Sequence, residues 1–199
     1  MKAMVFSDIH NDRAAVERLM RGDADCFFAA GDLATFQRGL AKMGEAMQAL
    51  AEKRPVYVLP GNHESATDIE TFCQEFGFTN FHGATAELNG ARFAGLGYST
   101  PTPFDTPGEW SEEQMAAQLE AFAARTPDVL ICHAPPLHTE LDRIRDGLHG
   151  GSRAVREFIE THQPRYFFCG HIHEAEGVVI QMGRTRAMNV GKAGYVLEL

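Results

Sequence analysis

Several features that define whole protein classes are missing from this sequence. No stretch approaches the roughly 18 consecutive apolar residues of a membrane span. The start, Met1-Lys2-Ala3-Met4-Val5-Phe6, lacks the basic-then-apolar pattern of a secretory leader and runs straight into a strand-like segment. A cytoplasmic protein with no membrane partner is the expectation. Cysteine is scarce: Cys26, Cys73, Cys132 and Cys169 include no C-x-x-C pair, which argues against a structural zinc site. Three of them lie in apolar runs and are expected to be reduced core thiols. Positive charge is also in deficit, with 18 Lys plus Arg against 27 Asp plus Glu and a net charge of -9. That weakens any broad nucleic-acid footprint. An anionic substrate stays admissible where bound cations dominate the local field.

What is present is an ordinary soluble composition. The chain has 199 residues, 44% of them hydrophobic, which fits one domain over 1–199 with a full core. Strand-like and helical patterns alternate, which predicts an α/β layered fold. Ala15, Val16, Leu19 and Met20 make one apolar helical face, and Leu40, Met43, Met47, Leu50 and Ala51 make a second. Thr67 and Glu70 have capping-box spacing ahead of Phe72, Cys73 and Phe76. Ser111 and Gln114 repeat that signal ahead of Met115, Leu119 and Phe122, and Val155, Phe158 and Ile159 predict a helix after Ser152. The methionines and phenylalanines of these faces are expected in the core. Asn89-Gly90 between two strand-like runs predicts a hairpin. Residues 178–182, 185–190 and 195–199 read as three more strands. Two strand-rich blocks with helices between them predict two packed sheets flanked by helices. The segments 99–108 and 134–151 read as loops, with surface connection and functional loop both open.

Five short apolar runs end in polar residues that can hold a metal. Lys2–Phe6 leads to Asp8 and His10, Cys26–Ala30 to Asp32, and Val56–Leu59 to Asn62, His63 and Glu64. Val129–Cys132 leads to His133, and Tyr166–Cys169 leads to His171 and His173. Open α/β sheets bind ligands beyond the carboxyl ends of their strands, so five such ends can converge. Asp8, His10, Asp32, Asn62, His133, His171 and His173 are oxygen and imidazole donors suited to divalent ions of manganese, iron, zinc, cobalt or nickel. Sharing the Asp32 carboxylate gives four protein ligands to each of two metals. A bridging water or hydroxide would sit between ions about 3.5–4 Å apart and serve as nucleophile.

These residues resemble the motif series of the calcineurin-like metallophosphoesterase superfamily: D-x-H, G-D, G-N-H-D/E, a lone H, then G-H-x-H. The chain reads Asp8-Ile9-His10, Gly31-Asp32, Gly61-Asn62-His63-Glu64, His133 and Gly170-His171-Ile172-His173, all in order. The resemblance implies a four-layer αββα sandwich with two mixed β-sheets flanked by helices. It implies that Asp8, His10 and His173 hold one metal, that Asn62, His133 and His171 hold the other, and that Asp32 bridges them. His63 would face the phosphate and either stabilise it or protonate the leaving oxygen, as imidazole can near neutral pH. Glu64 would orient His63 or an arginine. Family members often carry an acidic residue or a glycine soon after G-D, whereas Leu33-Ala34-Thr35 follows here. The small size, and the runs Ser99–Phe104 and Cys132–Pro136, resemble the small prokaryotic branch.

The implied activity is hydrolysis of a small phosphorylated substrate, a phosphodiester or a phosphomonoester. A non-catalytic scaffold of the same fold and a nuclease are the alternatives, and the oligomeric state is open. His149 is a candidate substrate-binding residue, because Gly150 and Gly151 let backbone approach a ligand closely. The helix start near Ser152 and Arg153 could attract an anion, with simple capping by Ser152 as the alternative.

Overall fold

In a computed structural model, which describes residues 1–51 and 54–199, the five apolar runs are all strands. In chain order the elements are β1 (Lys2–Phe6), α1 (Arg13–Met20), β2 (Cys26–Ala30), α2 (Leu40–Ala51), β3 (Val56–Leu59), α3 (Ala66–Phe76) and β4 (Thr79–Asn80). Then come β5 (Ala84–Leu88), β6 (Ala91–Leu96), α4 (Glu112–Ala123), β7 (Val129–Cys132), β8 (Arg143–Arg145), β9 (Leu148–His149) and α5 (Arg153–His162). The chain closes with β10 (Tyr166–Cys169), a 3-10 turn over His173–Ala175, β11 (Val179–Met182), β12 (Thr185–Asn189) and β13 (Tyr195–Glu198).

The strands form two mixed sheets, ordered β13-β1-β2-β3-β4 and β11-β12-β10-β7-β6-β5. Strands β1, β2 and β3 run parallel in the first, and β6, β7, β10 and β12 in the second. Strand β13 belongs to the first sheet, antiparallel to β1. Side-chain alternation sets the layers. Along β1, Met4 and Phe6 face outward to Val16, Leu19, Met47, Ile69 and Phe72 of the helices on that side. Ala3 and Val5 face inward, with Phe28, Phe93, Ile131 and Phe168, to a second apolar layer between the sheets. Leu130 and Phe167 face α4 and α5 through Leu119, Phe122, Val155 and Ile159. Strands buried on both faces read as continuous apolar runs, which is why the sequence shows no polar alternation there. Phe28 of the first sheet stacks on Phe93 of the second at 5.1 Å. Each fully buried phenylalanine contributes about 1.5–3 kcal/mol. The result is the αββα sandwich.

The Asn89-Gly90 hairpin forms with both residues at positive φ, 51° and 79°. The Ser111–Gln114 capping box also forms. Two expectations need correction. Helix α3 starts two residues earlier than Thr67 implied, because Ser65 and Asp68 make the reciprocal cap. The segment 134–151 is not irregular throughout; β8 and β9 pair within it. All four cysteines are buried and free. No helix among the described residues is long and apolar enough to cross a membrane.

Candidate metal centre

The parallel strands place their carboxyl ends on one edge of the sandwich, and every motif residue follows such an end. The chain must then turn sharply. Asp8, His10, Asp32 and His171 sit in the left-handed region, at φ of 56°, 45°, 54° and 69°. Such conformations cost about 1–3 kcal/mol each and persist only where the surroundings hold them. The hold is visible: Asp8 N donates to Gly31 O at 3.1 Å, and His10 N donates to Asp32 O at 2.9 Å. Gly31, at φ 102°, has no room for a side chain, since a Cβ would lie 2.6 Å from both Gly61 Cα and His133 Nδ1. That close approach lets His133, from the second sheet, reach the first.

The seven candidate ligands come together. Ligand atoms of Asp8, His10 and His173 lie within 4.8 Å of one another, as do those of Asp32, His133 and His171. Ligand atoms of His10, Asp32 and His63 are also within 4.8 Å of one another. One oxygen of Asp32, Oδ2, lies 3.6 Å from His10 Nε2 and 3.4 Å from His133 Nε2. His10 Nε2 and His173 Nε2 are 3.1 Å apart. Asn62 Oδ1 is 3.1 Å from His133 Nε2 and 2.9 Å from His171 Nδ1. Ligand atoms bound at about 2.1 Å and at right angles would stand about 3 Å apart, so this spacing suits divalent ions.

Hydrogen bonds leave the correct lone pairs free. His133 Nδ1–H donates to Ala30 O at 2.9 Å, so Nε2 presents its lone pair. His10 Nδ1 lies 3.2 Å from Thr35 Oγ1, a hydroxyl able to accept its proton and so leave Nε2 for the cluster. The reverse arrangement holds at His63. The backbone N–H of Phe36 donates to His63 Nδ1 at 3.2 Å, so in the neutral ring the proton sits on Nε2. His63 N–H also donates to Asp32 Oδ1 at 2.9 Å.

The carboxylates demand positive charge. Burial opposes ionisation of Asp32, but His133 and then His10 outweigh it and hold its carboxyl below the usual range. Burial opposes Asp8 too, against a hydrogen bond from His173 and the charge of His133, and its pKa also falls. Burial opposes the His133 imidazolium, yet Asp32 and Asp8 lift it to about 9. Burial, with His133 alongside, lowers His171 to about 4. A divalent ion meets the same demand by displacing the His133 proton.

Glu64 has a different task from the one expected. It does not reach His63; its two oxygens accept backbone N–H bonds from Asp32 at 3.0 Å, Ala34 at 2.9 Å and Gly61 at 2.9 Å. It clasps the G-D loop to the G-N-H loop. Burial, then Asp32 nearby, raises its pKa to about 8.

The helix α5 N-terminus is already satisfied from within. Glu112 accepts from Ser152 Oγ, Arg153 N and Ala154 N at 2.7–2.9 Å, so an intramolecular carboxylate occupies the expected anion position. His149 lies outside the three clusters of ligand atoms. Its Nδ1 is 2.8 Å from Asp142 Oδ1, and its ring packs against His138. Buried Asp142 also accepts from His138 N, Thr139 N and Gly151 N, which fixes the loop.

Four supporting residues escaped the sequence reading: Thr35, Thr106, Glu109 and Asn189. Asn62 Nδ2 donates to Thr106 Oγ1 at 3.1 Å, and Thr106 Oγ1 donates to Glu109 Oε1 at 2.5 Å. The segment 99–108 therefore supports the centre. Asn189 Nδ2 donates to Gly170 O at 3.1 Å and Ile172 O at 2.9 Å, bracing the G-H-x-H loop. Its place at the end of β12, parallel to β10, was the one available signal.

Known proteins resemble this chain in sequence and in fold. The chain is 28% identical over 200 residues to the uncharacterized protein MJ1162 of Methanocaldococcus jannaschii, covering 98% of this chain and 90% of that one. Its fold matches a phosphopantetheinyl hydrolase from Mycobacterium tuberculosis with a TM-score of 0.68 at 17% identity, over 96% of this chain and 88% of that one. It also matches a dimetal phosphatase from Danio rerio with a TM-score of 0.62 at 11% identity, over 94% and 86% of the two chains. The sequence profile of the calcineurin-like phosphoesterases matches residues 1–175, and the chain belongs to that family.

Proposed function

We propose that this protein is a dinuclear metal-dependent phosphoesterase that hydrolyses a small phosphodiester, with a phosphomonoester as second choice. The observation that carries this reading is the position of Asp32 Oδ2, within 3.6 Å of His10 on one side and 3.4 Å of His133 on the other. Asp8, His10 and His173 would hold one divalent ion, and Asn62, His133 and His171 a second, with Asp32 between them. When bound, such ions lower the pKa of water and offset charge on phosphoryl oxygens. Manganese, iron, zinc, cobalt and nickel are all candidates for this donor set.

The chain's own groups do the rest. His63 keeps its proton on Nε2 in the neutral ring, because Phe36 N–H occupies Nδ1. As a bond forms from phosphorus to the attacking water, whose proton goes to solvent, and the bond to the leaving oxygen breaks, Nε2–H donates a hydrogen bond that stabilises the charge left on the departing oxygen. His149, its ring oriented by Asp142, would contact the substrate at the rim. Gly150 supports this placement, since a Cβ there would lie 3.0 Å from Ile172 Cδ1, between the two G-H-x-H histidines. Four free buried thiols support a reducing, cytoplasmic setting.

The test is an activity screen of the manganese-, zinc- and iron-loaded protein over phosphodiesters, phosphomonoesters and cyclic nucleotides. Metal-dependent turnover is expected. A folded, metal-loaded protein that turns over none of them would replace the enzyme with a scaffold.

A further inference from the structure

Residues 35–38 form a tight turn, closed by Arg38 N–H donating to Thr35 O at 3.1 Å. Its two central residues, Phe36 and Gln37, have φ of 47° and 64°. This left-handed pair is the type I′ arrangement that Asn-Gly fills with little strain. A bulky phenylalanine there is an outlier. Burial of the ring does not compensate, for Phe36 is 46% exposed. The large hydrophobic side chains before it in the neighbouring loops, Ile9 and Leu33, are enclosed, each at 1%.

The turn is tied to the centre at two points. Thr35 Oγ1 meets His10 Nδ1 at 3.2 Å, and Phe36 N–H meets His63 Nδ1 at 3.2 Å. The Phe36 ring stands edge-on to the His63 ring, 4.7 Å between centroids and 81° between planes. The His63 ring, with Nε2 carrying its proton in the neutral form, therefore lies beside an open aromatic surface. A group attached to an oxygen that accepts a hydrogen bond from Nε2–H lies near that surface.

We propose that Phe36 is a specificity-determining residue that forms one wall of a leaving-group subsite and favours esters whose leaving group is a planar aromatic or heteroaromatic ring over those with small alkyl groups. The inference rests on the phosphoester reading above. An aryl group can stack on, or meet edge-on, the exposed ring, whereas a methyl group covers little of it. The strained backbone then has a use: it puts an apolar face where folding alone would leave a glycine.

The experiment compares binding of phenylphosphonate and methylphosphonate to the manganese-loaded protein by calorimetry. Neither probe has a scissile ester bond, so binding is read without turnover. Wild type should bind the phenyl probe about tenfold more tightly, about 1.4 kcal/mol. In Phe36→Gly, which keeps the N–H and suits the positive φ, the preference should fall to near unity. Nitrogen-15 spectra of the His63 ring in the metal-free proteins provide the control. An unprotonated Nδ1 in both proteins, with the preference lost only in the variant, supports the wall. Equal binding of both probes by wild type, or a preference that survives Phe36→Gly, overturns it while hydrolysis stands. Loss of the preference together with a change of His63 tautomer also overturns it, assigning the effect to His63. Binding of neither probe, with no ester hydrolysed, overturns both readings.

Discussion

Thr106 Oγ1 accepts a hydrogen bond from Asn62 Nδ2 at 3.1 Å, and this contact decides which way the Asn62 amide faces. The direction is forced. Glu109 also accepts from Thr102 Oγ1, and its pKa lies below the usual range, because those hydroxyl bonds outweigh burial. A carboxylate only accepts, so the Thr106 proton goes to Glu109 and the Thr106 oxygen must accept. Asn62 then turns its nitrogen to Thr106 and its oxygen to His133 and His171. Thr106→Val should release the amide and weaken metal retention by about 10–100-fold, the usual scale for a supporting hydrogen bond. Thr106→Ser should restore it. Metal titration of both variants checks this; wild-type affinity in Thr106→Val would remove Thr106 from the centre.

Asp32→Ala should abolish retention of both ions, since its Oδ2 lies between the two sets of candidate ligands. Elemental analysis after dialysis measures the metal per chain. Two ions retained would show that no carboxylate is shared.

His63→Ala should preserve metal content and lower turnover by roughly 100-fold or more, the usual scale for a general acid or oxyanion donor. The effect should fall on kcat more than on KM. Unchanged kcat would assign charge stabilisation at the oxygens to another group.

His82 supplies a pH test away from the centre. Burial lowers its pKa from 6.5 to about 4. Its Nδ1 accepts from Gly97 N–H at 2.9 Å, and its ring packs against Tyr98 and Trp110. The folded state thus prefers the neutral ring, while the unfolded chain takes up a proton below pH 6.5. The contribution to stability is fully present above 6.5 and is lost as pH falls toward about 4. The loss is up to about 1.4 kcal/mol per pH unit. His82→Asn keeps an acceptor for Gly97 N–H and cannot titrate. Urea unfolding at pH 7 and pH 5 should show a smaller loss for the variant than for wild type; equal losses would remove His82 as the titrating group.

Much of the fold was legible, for identifiable reasons. Cys26–Ala30 and Val129–Cys132 read as strands because both faces are buried and no polar residue interrupts them. Ser111 and Gln114 read as a cap because both partners lie within one helical turn. The same signal at Thr67 misled, because Ser65 and Asp68 carry it two residues earlier. Strands β8 and β9 were missed because Arg143-Ile-Arg and Leu-His are short and largely exposed. An anion at the start of α5 was legible, but its source was not, because Glu112 arrives from another helix, about 40 residues back in the chain.

The sequence by itself determined which donor atoms this protein can bring to a metal. Each motif is a few residues at the end of an apolar strand, and parallel strands carry their ends to one edge. Only the tertiary structure decided how those donors face. The amide of Asn62, the ring protons of His133 and His63, and the clasp of Glu64 are all set by partners 25 or more residues away, or by backbone groups that no residue type reveals. Side-chain chemistry is local and can be read along a chain, whereas the direction of a hydrogen bond depends on what the fold places opposite it.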